Sequence, residues 1–144
     1  MKEVSLIVLY LLTTSTLIAT SQHLTLPFKK SRVIVTNDIP IFNETTSIEC
    51  YSSNNNLEVH NLSYLESYEW SFKTSLFNTK FYCSFRTPCG EGTYGVFTKR
   101  LNDVYCNYLC NWSIQPNGVS LENRRYRGLS DYWQDWKIWK DCNP

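Results

Sequence analysis

The sequence predicts an all-β fold, a small disulfide-stapled β-sandwich of about six to eight antiparallel strands. Three observations lead there. Apolar and polar residues alternate over short runs separated by turn residues, the period of two expected of half-buried strands. The aromatic content is high, with ten Tyr and five Trp, and such residues favour strands. Six cysteines, an even set, all lie beyond the first third of the chain.

The first element is a leader. Val4 to Leu12 form an apolar run followed by small and hydroxylated residues, with Ala19 and Ser21 placed for signal-peptidase cleavage after Ser21. Thr13, Thr14, Ser15 and Thr16 interrupt the run before it reaches the roughly 20 apolar residues a membrane span needs. Residues 1–21 are therefore expected to be a signal peptide and 22–144 a single secreted domain. Its formal net charge of +1 gives no general basic field for nucleic acid and no reason to expect membrane insertion of the mature chain.

Arg32 to Thr36 forms the first strand, closed by Asn37-Asp38 and Pro40. Ser47 to Tyr51 alternates, with Ile48 and Cys50 on one face and Glu49 on the other. Residues 52–56, Ser-Ser-Asn-Asn-Asn, read as a polar loop. Tyr68 to Lys73 alternates cleanly, Tyr68, Trp70 and Phe72 against Glu69, Ser71 and Lys73. Phe81 to Phe85 repeats this with Phe81, Cys83 and Phe85 inward. Pro88 to Gly92 is a turn cluster, and Tyr94 to Phe97 resumes a strand. Tyr108, Cys110, Trp112 and Ile114 share a face, and Asn117-Gly118 signals a turn. No helix-length run with a 3.6-residue period precedes residue 120. Because each strand has one apolar face, two sheets must pack those faces together.

An even cysteine count in a small secreted domain points to disulfides. If residues 106–112 are extended, the Cα atoms of Cys106 and Cys110 lie roughly 13 Å apart, beyond the reach of about 7 Å that a disulfide allows. Each then needs another partner. The inward, mid-strand Cys50 and Cys83 favour the pairs Cys50–Cys110 and Cys83–Cys106, leaving Cys89 and Cys142 to pin the tail, although six cysteines admit many connectivities. Zinc is the competing reading of the C-x3-C spacing, with His60 as a third ligand. An oxidising compartment and the lack of a second close ligand pair argue against it. The C-x-x-C spacing of a redox pair is absent.

Taken in order, these blocks resemble the plant self-incompatibility protein S1 family, the S-protein homologues. Val33-Ile34-Val35-Thr36-Asn37-Asp38-Ile39 is similar to its opening strand and turn, and Ile48-Glu49-Cys50-Tyr51-Ser52 to its first-cysteine strand. Asn56-Leu57-Glu58-Val59-His60 with Leu62 resembles its Leu-Gly-x-His loop. Tyr68 to Phe72 and Phe81 to Phe85 are similar to its most recognisable strands, and Cys106-x3-Cys110-Asn111-Trp112-Ser113-Ile114 with Gly118 to its closing block. The likeness covers residues 32–118. It implies a secreted, non-enzymatic β-sandwich, two disulfides from the four matching cysteines, and a role as an extracellular ligand for a cell-surface receptor protein. Two features depart from the pattern. Glu58 stands where the family has Gly, which would strain the backbone if φ is positive there. Cys89, Cys142 and the tail 123–144 look like additions.

Sites follow from the same reading. Asn43, Asn61 and Asn111 begin N-glycosylation sequons, the first two expected in loops and Asn111 on an outward strand face. In the tail, Trp133, Trp136 and Trp139 recur every third residue beside Arg124, Arg125 and Arg127. The plain reading is that the indoles cover a sandwich face. The sharper one is a partner-binding patch, since Trp and Arg are common interface anchors. The alternative is a secreted defence or cell-wall carbohydrate-binding protein that stacks sugars on these indoles. Loops 52–62, 86–93 and 116–127 are the candidate contact segments. No catalytic, metal or cofactor site is expected. His60 is read as making a structural hydrogen bond in its loop, and His23, near the mature terminus, as no partner for it in a catalytic pair.

Overall fold

The computed structural model describes residues 29–74, 79–126 and 128–143. The expected leader 1–21, His23 and Arg127 lie outside the described residues. Among the described residues, ten strands form two five-stranded sheets. In chain order these are β1 (Lys30–Asn37), β2 (Thr46–Tyr51), β3 (Asn56–Leu62), β4 (Ser67–Lys73), β5 (Phe81–Arg86), β6 (Gly90–Phe97), β7 (Leu109–Gln115), β8 (Gly118–Leu121), β9 (Tyr132–Asp135) and β10 (Lys137–Ile138). Sheet A runs β4-β1-β7-β8-β9 and sheet B runs β10-β6-β5-β2-β3. The all-β sandwich is as expected. One ladder is not antiparallel: β1 and β7 are parallel, in a register that sets Val33 beside Cys110 and Val35 beside Trp112.

The alternation read from the sequence is what fills the core. Val33 and Val35 of β1, with Trp112 and Ile114 of β7 and Val119 and Leu121 of β8, face inward from sheet A. Ile48, Phe81, Phe85 and Val96 answer from sheet B. Each such side chain stabilises the fold by about 1.5–3 kcal/mol on burial. Phe72 bridges to Phe81 and Phe97, with ring centroids 4.6 and 4.7 Å away.

The Asn37-Asp38 turn is more than a stop signal. The buried Asn37 side chain donates to the Leu62 carbonyl at 2.9 Å and accepts from the Ile39 amide at 3.1 Å. One amide group thus ties the end of β1 in sheet A to the end of β3 in sheet B.

Several elements were not legible, β8 within the expected loop 116–127 among them. Residues 56–62, placed in a loop, form the edge strand β3. A helical turn (Lys99–Leu101), capped by the Thr98 hydroxyl accepting from the Leu101 amide at 3.1 Å, runs into a π-helical turn (Asn102–Cys106). The tail also supplies an edge strand to each sheet. β9 pairs with β8 in sheet A, β10 pairs with β6 in sheet B, and Trp136 between them is buried. The tail is therefore part of the sandwich and closes one of its sides.

Candidate functional site

The disulfides decide how rigid any surface can be. Cys50 is bonded to Cys83, Cys106 to Cys110 and Cys89 to Cys142, with Cα separations of 4.1, 4.6 and 5.6 Å. The expected pairs Cys50–Cys110 and Cys83–Cys106 are thus corrected. Cys50 and Cys83 are direct partners on the neighbouring strands β2 and β5, so this bond staples one sheet rather than two. Cys106 ends the π-helical turn, and Asn107 (φ 49) and Tyr108 (φ 71) then take left-handed backbone. The Asn102 side chain holds that reversal, its Oδ1 accepting from the Tyr108 amide at 2.7 Å. The chain becomes extended only at Leu109, and the assumption of a continuous strand is what excluded the Cys106–Cys110 bond.

The tail residues singled out in the sequence are not brought together. Trp136 is 5% exposed, packs on Phe85 and Tyr94, and donates from its indole to the Gln115 carbonyl at 2.7 Å. Trp133 and Trp139 are 40% and 49% exposed but belong to different sheets. Trp133 lies on β9 of sheet A. Trp139 follows β10 of sheet B and donates to the Pro88 carbonyl at 2.9 Å. Arg124 lies 3.7 Å from the Glu122 carboxylate, and Arg125 donates to the Asp103 carbonyl at 2.5 Å. Of the two readings of the tail, Trp136 follows the plain one and covers the core, while Trp133 and Trp139 stand apart on different sheets; Arg127 lies outside the described residues. The period of three reflects one residue on the outer face of sheet A, one between the sheets and one beyond sheet B.

Asn43 lies in the exposed turn after β1. Asn61 is on β3 rather than in a loop, opposite Ser47 of β2. Asn111 is on the outer face of β7, half-buried, donating to the Glu122 carboxylate at 3.0 Å. Of the candidate contact segments, β3 takes 56–62 and β6 takes 90–93, whereas β8 takes only 118–121 of 116–127.

His60 is held structurally. Its Nε2 hydrogen-bonds the Leu57 carbonyl at 2.8 Å and its ring stacks on Tyr68 with centroids 3.7 Å apart. Burial, and then the Glu58 carboxylate, push the Tyr68 hydroxyl above the ordinary tyrosine value. Glu58 itself has φ 64. Between Glu49/Val59 and Tyr51/Asn56 the β2–β3 ladder gains one residue on β3, a bulge whose left-handed position favours glycine. The Glu58 amide donates to the Asn56 side chain at 2.8 Å, which fixes the bulge without glycine.

The surface with the features of an interaction site is the outer face of sheet B, which sequence reasoning missed. Tyr51 and Tyr82, direct partners across β2 and β5, stack with centroids 6.1 Å apart. One step along, Glu49, Val59, Ser84 and Thr93 form a cross-strand row, and beyond it lie Arg86, Glu91 and Lys137. They surround a shallow groove of about 490 Å³. The Arg86 guanidinium sits 5.9 Å from the Trp139 ring. The signal was in the sequence as the outward half of each alternating strand. Which outward residues share a face depends on strand order, which local pattern does not contain.

Among the described residues, no cluster of His, Cys, Asp and Glu is arranged to hold a metal ion, and no helix is long and apolar enough to cross a membrane.

Comparison with known proteins agrees with the architecture. The model of the plant self-incompatibility protein S1 family matches residues 32–136, extending through β9. S-protein homolog 29 of Arabidopsis thaliana is 31% identical over 96 residues, covering 66% of this chain and 70% of that protein. S-protein homolog 8 of the same plant is 38% identical over 94 residues, covering 63% and 70%. A solved structure of SPH (self-incompatibility protein homologue) proteins, described as a widespread family of small, highly stable, secreted plant proteins, superimposes with a TM-score of 0.53 at 15% identity, over 77% of this chain and all of that one. On the extent of the family match, together with two five-stranded sheets that share the fold of a solved relative, the chain belongs to the plant self-incompatibility protein S1 family.

Proposed function

We propose that this chain is a secreted, non-catalytic S-protein homologue acting as an extracellular recognition ligand, and that it docks a cell-surface protein through the outer face of sheet B. The observation that carries the reading is the composition of that face: Val59 and Arg86 line a shallow groove, Tyr51 and Tyr82 are exposed on the next outward row, and Trp139 is exposed beside Arg86. Tyr, Trp and Arg dominate interface hot spots because they bury large area at low conformational cost. The charged row Arg86, Glu91 and Lys137 borders the apolar patch as a polar rim. The Cys50–Cys83 bond lies directly beneath the Tyr51–Tyr82 pair, so these anchors sit on a braced sheet. Bracing lowers the ordering cost of association. Secretion is supported by the leader-like start, by the three disulfides and by the secreted nature of the structural relatives.

The test is binding of fluorescently labelled, oxidised mature protein to plant cells, before and after protease treatment of their surface. Saturable, protease-sensitive binding that falls at least tenfold in Tyr82→Ala/Trp139→Ala is the expected result. Binding that is protease-resistant, or indifferent to that double substitution, would overturn the reading.

A further inference from the structure

The opposite face of the sandwich has a different chemistry. On the outer side of sheet A a groove of about 270 Å³ is lined by Asp38, Asn111, Ser113, Gln115, Ser120 and Glu122, among others. Its lining offers carboxylates, amides and hydroxyls, and no Lys or Arg is among the described residues that form it. These groups are already oriented. The Ser113 hydroxyl bonds the Asp38 carboxylate, and the Gln115 amide donates to the Ser113 and Ser120 hydroxyls at 3.3 and 3.2 Å.

Beside this groove stands Trp133. Its cross-strand partner is Ser120, which in turn pairs with Ser113, so its strand is the immediate neighbour of the strand that lines the groove, with a backbone spacing of about 5 Å. The six-membered ring covers Gly118, where a Cβ would lie 2.8 Å from Cζ2 and 3.0 Å from Cε2. The absence of a side chain is what lets the indole settle over the sheet. Its Nε1–H donates to the Asp135 carboxylate at 2.6 Å, fixing the ring while leaving it 40% exposed. A large aromatic held in place and open to solvent contributes little to the core.

We propose that this face binds a neutral oligosaccharide of equatorially linked hexoses, with Trp133 as the stacking platform. Such sugars present flat C–H faces that pack on an indole and a ring of hydroxyls that can donate to the carboxylate, amide and hydroxyl oxygens of this lining. The acceptor-rich lining disfavours anionic polymers, whose carboxylates would meet Asp38 and Glu122. This goes beyond the receptor reading and uses the other sheet, so either can fail alone.

The experiment is titration of the secreted, oxidised protein with cellohexaose, followed by calorimetry and by backbone amide shifts, with hexagalacturonate as the anionic control. Occupancy of Asn111 is read by mass mapping of the same material. Saturable cellohexaose binding with shifts confined to β7, β8 and β9 is expected. Trp133→Ala should weaken it at least tenfold and Gln115→Ala several-fold. Trp133→Phe, which keeps a ring, should retain most of it, and Trp139→Ala should change nothing. Unchanged far-UV dichroism establishes that the variants fold. Absence of saturable binding, tighter binding of hexagalacturonate, indifference to Trp133→Ala, or a glycan on Asn111 filling the groove would each overturn the proposal.

Discussion

Replacing Trp112 with Phe tests how the two sheets are joined. Trp112 is 1% exposed in β7 of sheet A, and its indole N–H donates to the Val96 carbonyl of β6 in sheet B at 2.9 Å. That carbonyl is available because the β5–β6 ladder passes from Phe81/Phe97 to Tyr82/Gly95 and skips Val96. A bulge leaves its extra residue unpaired, and the indole across the core supplies the missing donor. In Trp112→Phe the carbonyl loses that donor in a dry interior, which costs about 1–3 kcal/mol. The smaller ring leaves a void on the order of 40 Å³, adding about 1 kcal/mol at ~24 cal/mol per Å³. The expected destabilisation is therefore about 2–4 kcal/mol, a fall in Tm of roughly 8–16 °C for a domain of this size. Urea and thermal melts of the oxidised protein, followed by circular dichroism, measure it. Trp133→Phe on the exterior is the control and should change stability by less than about 0.5 kcal/mol. A Trp112→Phe variant as stable as its parent within that margin would refute the claim that the indole satisfies the bulge.

The disulfides should differ in weight. On loop-closure entropy, the bond between Cys106 and Cys110, a separation of 4, is worth about 2 kcal/mol, and that between Cys89 and Cys142, a separation of 53, about 4 kcal/mol. Paired Cys→Ser variants in urea should show that order, and peptide mapping should recover an intact Cys106–Cys110 link from native protein. Glu58→Gly should stabilise by up to about 1 kcal/mol, because relief of left-handed strain of ~1–2 kcal/mol exceeds the added freedom of the unfolded chain. It should also lower the Tyr68 pKa partway, since burial remains. A tyrosine whose folded pKa is raised contributes stability that is complete below the unfolded value near pH 10 and is lost as pH rises through the folded one. Resonance-resolved titration of Tyr68 and alkaline melts should therefore show a smaller loss above about pH 10 in Glu58→Gly than in its parent.

Particular elements show where local reading sufficed. The inward sets of β1, β2, β4, β5 and β7 were legible because strand alternation is a property of neighbouring residues. β3 was not, because its bulge at Glu58 breaks the period of two and its flanking residues are polar. The Cys106–Cys110 bond was hidden by a reversal at Asn107 and Tyr108, non-glycine residues in left-handed backbone, where a lone Asn followed by Tyr is a weak turn signal. The tail's triplet of tryptophans was read as sharing one face, whether as cover or as a patch, yet its members are distributed over two sheets and the space between them, because the chain crosses from one sheet to the other at Trp136.

Composition and pattern alone determined that this chain would be all-β, cross-linked through its cysteines and built around an aromatic core, since burial and alternation act within a few residues. The tertiary structure decided which cysteines meet, that β1 and β7 run parallel, and which outward side chains share a face. Those outcomes depend on strand order and register, set by contacts between segments far apart in the chain, where local sequence exerts no force.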